Sequence, residues 1–400
     1  MVLSCILAAV LLPADPITPS QLADSLIVPP RGESARKLEQ RIRQNFPKDK
    51  DLKEGKHWIE GPTVAFVIEV AKDAKPRLGG MLDHGRGLDL VPIGDSGLWA
   101  RTESIPTEAK FSYHFEVDKK KIGAKTVEMP DWAEAPEASQ VKGRKYGQYR
   151  PFKMRSEVFQ NGHTGWIYIP AAYREDGPPA ALMVFQDGDA YKDQKVGNIV
   201  DNLIAEGAMP VTILVLINPG LNDDGTSNRS LEYDSLGDAY ARFLEKEVLP
   251  GLAKEYRLKD APTHRAIGGA SSGGIAAFNA AWERPELFGK VCSHIGSFTN
   301  IRGGDALPKI IREADSKPIK VLLYDGTNDL INEHGDWWHA NEQMHAALSE
   351  RGYEVQFLKD RNFHAYWSSG KQLPASLRWL WSDLATTRTG VAEREKAAAR

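Results

Sequence analysis

The distribution of apolar and polar residues divides most of the chain into two regions of different periodicity. In the first region, which ends near Ile122, apolar and polar residues alternate in short runs such as Leu98–Thr102 and Lys110–Val117. Thr63–Val70 is rich in β-branched residues, and Gly and Asp turns separate the runs. This pattern predicts a small β-sandwich domain over residues 57–129.

From about residue 141 onward, short apolar runs alternate with segments of helical spacing. Near-continuous apolar strands separated by helices are typical of a mostly parallel sheet with helices on both faces. We therefore predict an α/β domain over residues 141–387. The predicted strands are Gly165–Ile169, Ala181–Phe185, Thr212–Ile217, Arg265–Ile267, Lys290–His294, Lys320–Tyr324 and Glu354–Leu358, and the predicted helices are 194–206, 236–256, 273–283, 336–351 and 374–384.

The remaining segments fit neither pattern. An apolar run from Val2 to Leu12 resembles the central part of a signal peptide and is too short to span a bilayer. We therefore predict that residues 1–15 are a signal peptide and that the protein is exported to the periplasm or the exterior. A misassigned start codon or an apolar tail is the alternative. Three further segments are a charged lead-in at 16–56 with a solvated loop at 47–55, a linker at 130–140 rich in Pro, Ala and acidic residues, and a charged tail at 388–400.

Composition narrows the range of partners. Charged residues make up 26% of the chain and the net charge is −3, which does not indicate a nucleic acid or an anionic membrane as partner. No other apolar run is long enough for a membrane span. The two cysteines are Cys5 and Cys292, and the first lies in the signal segment, so a disulfide is not expected. Zinc-ligand spacings of His and Cys are absent from the sequence, and we expect no metal.

The strongest chemical signal is a Gly-x-Ser-x-Gly motif at Gly269–Gly273. Apolar residues precede it and helix-forming residues follow it, which is the strand–turn–helix setting of a nucleophilic serine. The small residues that flank Ser271 let the strand and helix approach this sharp turn. Ser271 is therefore the predicted nucleophile. The alternatives are the adjacent Ser272, whose glycine frame is poorer, and a Gly-rich turn that packs a helix or cradles a phosphate.

A serine nucleophile needs a general base and an acid that orients the base, in the chain order Ser, Asp or Glu, His. Asp325 ends a predicted strand and Asp329 lies in the loop beyond it. We favour Asp329, because a loop carboxylate can turn towards the next loop, and Asp325 is the alternative. His364 directly follows the last predicted strand and is the predicted base. The other histidines after Ser271 fit a strand or a solvated helix face, namely His294, His334, His339 and His345.

Backbone N–H groups are expected to stabilise the oxyanion that such a reaction forms. The predicted donors are Ser272, which follows the nucleophile, and Asp189, in the loop after a predicted strand. Side chains that could contact the substrate are Arg229, Glu232, Trp337, Tyr366 and Trp367. Arg229 and Glu232 could instead form a structural ion pair, which we favour, and the tryptophans could be buried in the core.

Together these motifs resemble the enterochelin-esterase-like branch of the Putative esterase (esterase D) family over residues 145–385. The likeness rests on the Gly-x-Ser-x-Gly motif, Asp187–Asp189, Arg229–Asp234, Trp282–Phe288, Gly296–Phe298, Asp325–Asp329 and the region of His364. It implies an α/β-hydrolase fold with Ser271, Asp329 and His364 as its triad, and an immunoglobulin-like N-terminal domain. Many relatives have Gly-Gly-His where this chain has Asn362-Phe363-His364, so the pocket is expected to differ.

The resemblance implies a serine carboxylic-ester hydrolase that forms an acyl-enzyme and uses no metal or organic cofactor. Family members cleave catecholate siderophore esters, hydroxycinnamoyl or acetyl esters of plant polysaccharides, and small thioesters, and some transfer acyl groups to sugars. Aromatic residues near His364, without a basic cluster, favour aromatic-acid or polysaccharide-linked esters over an anionic siderophore. The expected partner is therefore a small-molecule or glycan-linked ester. A carbohydrate-binding protein on an inactive hydrolase scaffold is the non-enzyme alternative, and the filled triad positions argue against it.

Overall fold

The computed structural model describes residues 15–83 and 87–386, so the predicted signal segment, up to residue 14, and the C-terminal tail lie outside the described residues. The chain divides into two compact units, residues 1–132 and 133–400, and the boundary falls inside the predicted linker. Within the two described ranges, every helix is too short or too polar to cross a membrane.

The first unit contains two antiparallel sheets of four strands, with the orders β1-β2-β6-β5 and β4-β3-β7-β8. The strands are β1 (Lys56–Glu60), β2 (Thr63–Glu69), β3 (Arg77–Gly80), β4 (Leu88–Asp89), β5 (Val91–Pro92), β6 (Leu98–Ser104), β7 (Lys110–Val117) and β8 (Lys120–Glu128). Alternation along β2 and β7 places Phe66 against Tyr113, with ring centroids 4.8 Å apart. The two sheets thus pack face to face, as the alternating pattern predicts.

The segment before these strands belongs to the same unit. It forms α1 (Pro19–Leu26), α2 (Gly32–Asn45) and α3 (Asp49–Lys53). The apolar side chains buried between these helices and the first sheet include Leu22, Leu38, Ile42, Leu52, Ala65 and Val67. The prediction of a solvated loop at 47–55 is wrong, because burial of Leu52 stabilises a short helix there.

Eight strands form the central sheet of the second unit, in the order β18-β15-β14-β13-β11-β12-β10-β9. The strands are β9 (Gln148–Arg155), β10 (Gly162–Ile169), β11 (Ala181–Gln186), β12 (Thr212–Ile217), β13 (Arg265–Ala270), β14 (Lys290–His294), β15 (Lys320–Asn328) and β18 (Val355–Phe363), and β16 (Ile331–Asn332) pairs with β17 (Gly335–Asp336) in a separate hairpin. Strands β11 to β15 and β18 run parallel, whereas β10 is antiparallel to both of its neighbours. All seven predicted strands are present.

Helices cover both faces of this sheet. They are α4 (Gly188–Asp193), α5 (Val196–Ala205), α6 (Arg229–Asp234), α7 (Ala239–Phe243), α8 (Leu249–Glu255), α9 (Ser272–Glu283), α10 (Leu307–Glu313), α11 (Trp337–Glu350) and α12 (Tyr366–Leu380). Successive residues of β11 face opposite sides of the sheet and belong to different hydrophobic clusters. Val184 packs in one cluster with Phe278 of α9, and Met183 packs in the other with Leu377 of α12. The predicted α/β architecture with helices on both faces is confirmed.

The later part of the stretch predicted to be a linker, from residue 133 onward, is bound to the second unit. Its residues Pro136–Ala138 form a 3₁₀ helix. The side-chain amide of Asn202 on α5 donates to the carbonyl oxygens of Glu137, at 2.7 Å, and Ser139, at 2.9 Å. Arg378 of α12 pairs with the Glu137 carboxylate at 2.8 Å. These contacts make the stretch an ordered part of the second unit.

Candidate active site

Ser271 occupies the sharp turn between β13 and α9. Its backbone has φ 58° and ψ −126°, a conformation that is costly for a residue with a side chain. The Ser271 N–H donates to the carbonyl oxygen of His294 at 3.0 Å, which ties the turn to β14. A Cβ at Gly269 would lie 2.3 Å from the carbonyl oxygen of Gly273. The glycines of the motif therefore permit the close approach of strand and helix that projects Ser271 from the sheet.

Three predicted site residues form one hydrogen-bonded chain. Ser271 Oγ lies 2.8 Å from Nε2 of His364, and Nδ1 of His364 lies 2.5 Å from Oδ1 of Asp329. Asp329 follows the core of β15 and His364 follows β18, and these strands are parallel neighbours. The carboxyl ends of parallel strands meet at one edge of the sheet, where open α/β sheets bind their ligands. Sequence positions far apart are thus brought to one point.

The alternative acid, Asp325, makes its hydrogen bonds to other residues. Its carboxylate oxygens accept hydrogen bonds from the backbone N–H of Gly326, at 2.7 Å, and from the side-chain amide of Asn341, at 2.9 Å. Between the two carboxyl groups considered in the sequence, Asp329 is therefore the one within hydrogen-bonding distance of His364 Nδ1.

Burial shifts the pKa values of His364 and Asp329. It lowers the pKa of His364 to about 4; Asp325 opposes this change and Arg229 adds to it. The imidazole is therefore neutral at neutral pH and can accept a proton from Ser271. Burial also raises the pKa of Asp329, while hydrogen bonds from Asp325 and the Leu330 N–H counteract the increase.

A cavity of about 440 Å³ lies over Ser271. Its lining residues are Asp187, Asp189, Ala190, Asn218, Arg229, Ser271, Ile295, His364, Ala365 and Tyr366. Arg229 binds both carboxylate oxygens of Asp187, through Nε and Nη2 at 2.8 Å each. The hydroxyl of Tyr366 donates to the same carboxylate at 2.7 Å. The guanidinium charge in the cavity is thus paired with a carboxylate in a two-pronged geometry.

Glu232 does not reach this cavity, and the expected ion pair between Arg229 and Glu232 is not formed. Glu232 is 2% exposed. It accepts hydrogen bonds from the side chain of Asn161, at 2.6 Å, and from the backbone N–H of Gly220, at 3.0 Å. Asp187 takes the guanidinium because it offers both of its oxygens to Arg229, and Glu232 instead fixes the loop after β12.

The predicted aromatic residues separate into different roles. Tyr366 lines the cavity, whereas Trp337 and Trp367 are not among its lining residues. Trp337 is 3% exposed, and its indole N–H donates to Ser297 Oγ at 3.1 Å. Ser297 Oγ in turn lies 3.2 Å from Ser271 Oγ. Trp337 therefore supports the nucleophile from behind through Ser297, a residue that the sequence did not single out as part of the site.

The two predicted oxyanion donors differ in their surroundings. Ser272 is the first residue of α9, where N–H groups have no partner within the helix and the helix dipole favours negative charge. The Asp189 N–H donates to Asn218 Oδ1 at 2.9 Å, and Asn218 Nδ2 donates to the Asp189 carboxylate at 2.8 Å. Asn218 therefore occupies the second predicted donor. No group of three or more His, Cys, Asp or Glu residues within 15–83 and 87–386 is arranged to hold a metal ion.

One residue of the cavity wall has an unusual backbone conformation. Ile295 has φ 43°, which a β-branched residue rarely adopts. Its N–H donates to the carbonyl oxygen of Tyr324 at 2.6 Å, and the preceding carbonyl accepts from Ser271. Hydrogen bonds to both neighbouring strands therefore hold the strained residue in place beside the nucleophile.

Comparison with known sequences identifies a matching family and several related proteins. The profile of the Putative esterase family matches residues 156–360, just over half of the chain. An endo-1,4-beta-xylanase/feruloyl esterase of Xylanibacter ruminicola is 25% identical over 320 residues, which cover 73% of this chain and 41% of that protein. An iron(III) enterobactin esterase of Dickeya dadantii is 24% identical over 242 residues, which cover 56% and 53%. The chain thus spans about half or less of the length of these two relatives.

Comparison of structures agrees with this result. An enterochelin esterase of Shigella flexneri superposes with a TM-score of 0.64 at 16% identity, covering 84% of this chain and 97% of that one. A ferulic acid esterase of Anaeromyces mucronatus superposes with a TM-score of 0.50 at 17% identity, covering 61% and 94%. These likenesses show an α/β-hydrolase fold.

Proposed function

Because the chain belongs to the Putative esterase family, in its enterochelin-esterase-like branch, we propose that it is a serine carboxylic-ester hydrolase that forms an acyl-enzyme. Both relatives described above are named as esterases. The observation that carries the serine mechanism is the hydrogen-bonded chain from Ser271 through His364 to Asp329.

The proposed reaction begins when His364 Nε2 accepts the proton of Ser271 Oγ as Oγ attacks the carbonyl carbon. The N–H of Ser272 stabilises the tetrahedral oxyanion, and the Asp189 N–H joins it once Asn218 Oδ1 releases this group. His364 then gives its proton to the departing alcohol, which leaves the acyl group on Ser271. Water repeats the attack with His364 as base, releases the acid and restores the serine.

Reaction with a fluorophosphonate tests the nucleophile directly. We expect the intact protein to gain one phosphonyl group, and peptide mapping to find it on Ser271, because an adjacent neutral imidazole activates that hydroxyl. Heat-denatured protein is the control and should gain none. An inactive scaffold that only binds carbohydrate would leave Ser271 unmodified, which contradicts the proposal.

The pH dependence should follow the lowered pKa of His364. Only the neutral imidazole accepts the serine proton, so kcat/KM rises as the pH increases through this pKa. Since burial lowers the pKa of His364 to about 4, the rise should lie below the value of about 6.5 for an exposed histidine. Hydrolysis of an uncharged activated ester, measured from about pH 3.5 to 9, gives the midpoint. A midpoint above that of exposed histidine contradicts the assignment of a buried, neutral base.

We propose that the substrate is an ester of an aromatic acid or an ester linked to a polysaccharide. The cavity contains the carboxyl groups of Asp187 and Asp189 and the paired guanidinium of Arg229, so its lining is not cationic. A ferric siderophore carries several negative charges and binds best to a cationic pocket. Tyr366 and Ile295 offer the apolar surface that an aromatic acid requires. Likeness to enterobactin esterases supports the siderophore as the second candidate.

Relative rates on three esters distinguish these substrates. We expect kcat/KM for methyl hydroxycinnamate to exceed that for a ferric catecholate trilactone by at least about 10-fold, because the cavity offers an apolar wall to the aromatic acyl group and lacks the cationic lining that an anionic ferric siderophore prefers. An acetylated xylo-oligosaccharide provides the polysaccharide-linked case with a small acyl group. A preference for the trilactone would favour the siderophore.

A further inference from the structure

A second cavity lies at the edge of the central sheet opposite the proposed triad. It surrounds the amino ends of β14 and β15, which begin at Lys290 and Lys320, and has a volume of about 330 Å³. Four cationic and two anionic side chains line it, namely Lys290, Lys317, Lys320, Arg351, Glu354 and Asp383. The lining thus carries an excess of two positive charges, in a chain whose net charge is −3.

Two of these cations are buried side by side. Lys290 and Lys320 are Cα partners on parallel neighbouring strands, so their side chains leave the sheet on the same face. Each ammonium group lies near an aromatic ring: Lys290 Nζ is 5.5 Å from the ring centroid of Trp381, and Lys320 Nζ is 4.3 Å from that of Trp379. The rings replace only part of the hydration that a buried ammonium loses.

The carboxylates of the lining compensate these charges incompletely. Asp383 lies 2.6 Å from Lys290 Nζ, and Glu354 lies 2.8 Å from Lys320 Nζ. The lysine side chains are 3% and 7% exposed, whereas those of Asp383 and Glu354 are 41% and 65% exposed, so solvent screens the carboxylates more than the ammonium groups. Burial lowers the pKa of Lys290, although Asp383 counteracts this change.

The hydrogen bonds of the cations leave donors available to a ligand. An ammonium group has three N–H donors, and Asp383 is the one group within residues 15–83 and 87–386 that accepts from Lys290. Lys317 donates to the carbonyl oxygen of Trp282, and Arg351 donates to that of Ala314 at 2.7 Å. Carbonyl oxygens are neutral, so these two bonds leave the charges of Lys317 and Arg351 uncompensated.

We propose that this cavity binds a doubly charged oxoanion, a phosphate group that is either free or carried by a small molecule. One dianion matches the excess of two positive charges, and its oxygens accept hydrogen bonds from ammonium and guanidinium groups. A cavity of this volume is within the range of small-molecule sites, so a phosphate ester fits as well as the free ion. The site shares no residue with the proposed active site, and its occupation does not depend on ester hydrolysis.

Isothermal titration calorimetry on the full-length protein tests the site. At low ionic strength and neutral pH, we expect inorganic phosphate to bind at one saturable site with a Kd of about 1 mM. Acetate, a single negative charge, should bind at least about 10-fold more weakly at the same ionic strength. Folded protein that does not bind phosphate saturably, or that binds acetate equally well, overturns the proposal.

Two further ligands distinguish the sources of the phosphate group. If glucose 6-phosphate binds more tightly than inorganic phosphate while glucose does not bind, the ligand is a phosphorylated small molecule. If inorganic phosphate binds more tightly, the ligand is the free ion. Either result supports the oxoanion site, whereas equal binding of glucose and glucose 6-phosphate contradicts it.

Variants of opposite charge effect show whether the lining is responsible. Arg351→Gln removes a positive charge and should weaken phosphate binding about 10-fold, whereas Glu354→Gln removes a negative charge and should strengthen it about 3-fold. Lys37→Gln and Glu33→Gln are the matched controls, because these residues form an exposed ion pair on α2 of the first unit, and both should bind as the wild type does.

All four substitutions alter exposed side chains, so the variants should fold, and thermal unfolding followed by circular dichroism checks this. Equal effects of the cavity and control variants would show general attraction between phosphate and the protein, which overturns the proposal. Weaker binding in Glu354→Gln would overturn it as well, because the carboxylate would then be part of what holds the ligand.

Discussion

We expect the Ser271→Ala variant to hydrolyse an activated ester about 10⁴–10⁶-fold more slowly than the wild type. The variant lacks the oxygen that attacks the ester, and neither neighbouring hydroxyl can replace it. Ser297 Oγ accepts the indole N–H of Trp337, and Ser272 Oγ accepts from Arg229. Because His364 acts on the substrate through Ser271, the double variant with His364→Ala should be no slower than either single variant.

Initial rates of ester hydrolysis measure this loss of activity. The variant must be present in excess over any contaminating esterase. Ser349→Ala is a matched control, since Ser349 is exposed on α11 and does not line the cavity. It should retain wild-type activity. The Ser271→Ala protein should fold, because Ser271 Oγ contacts only site residues. Near-normal hydrolysis by folded Ser271→Ala would show that another residue is the nucleophile.

The Asp329→Asn variant should lose about 10⁴-fold in kcat. An amide at this position can donate to His364 Nδ1, which places the imidazole hydrogen on Nε2, facing Ser271 Oγ. In that tautomer Nε2 cannot accept the serine proton, although the geometry is nearly unchanged. The effect is therefore on the chemical step, and KM should change little.

Pre-steady-state measurement of acyl-enzyme formation isolates that step. Asp383→Asn makes the same chemical change at the carboxyl group that pairs with Lys290, and it should leave acylation unaffected. Acylation at the wild-type rate in Asp329→Asn would mean that Asp329 does not set the tautomer of His364.

The sequence predicts well the parts of the site that depend on local order. The glycines around Ser271 are needed for one sharp turn, so the motif is visible in five consecutive residues. Asp329 and His364 each follow a strand, and parallel strands bring such positions to one edge. Apolar runs and chain order are thus sufficient to select three residues that the structure brings into one hydrogen-bonded chain.

Contacts between distant side chains could not be predicted in the same way. Asp187 is 42 positions from Arg229 and 179 positions from Tyr366, and no periodicity relates them. From the sequence, Glu232 was the expected partner of Arg229, because the two residues are close in the chain. Only the packing of α6 against α9 decides that the guanidinium binds Asp187.

The prediction from the sequence missed one strand and misplaced the start of one helix. Strand β9 was not predicted because it is an edge strand with largely exposed residues and therefore lacks apolar alternation. Helix α12 begins at Tyr366 rather than near residue 374, and it contains Pro374 in its interior. Burial of Leu373 and Leu377 against the core stabilises the helix through a residue that would break an isolated one.

The strained backbone of Ile295 has an evolutionary consequence. A glycine at this position would relieve roughly 1–3 kcal/mol of conformational strain. Ile295 is, however, 1% exposed and packs with Ala270 and Tyr324, and deleting such a buried side chain costs about 2–5 kcal/mol. The same change would remove an apolar surface from the cavity that contains Ser271. Core packing and substrate fit thus both favour retaining the side chain, which explains why the strained conformation persists. Laboratory evolution towards a more heat-resistant esterase should therefore leave position 295 unchanged.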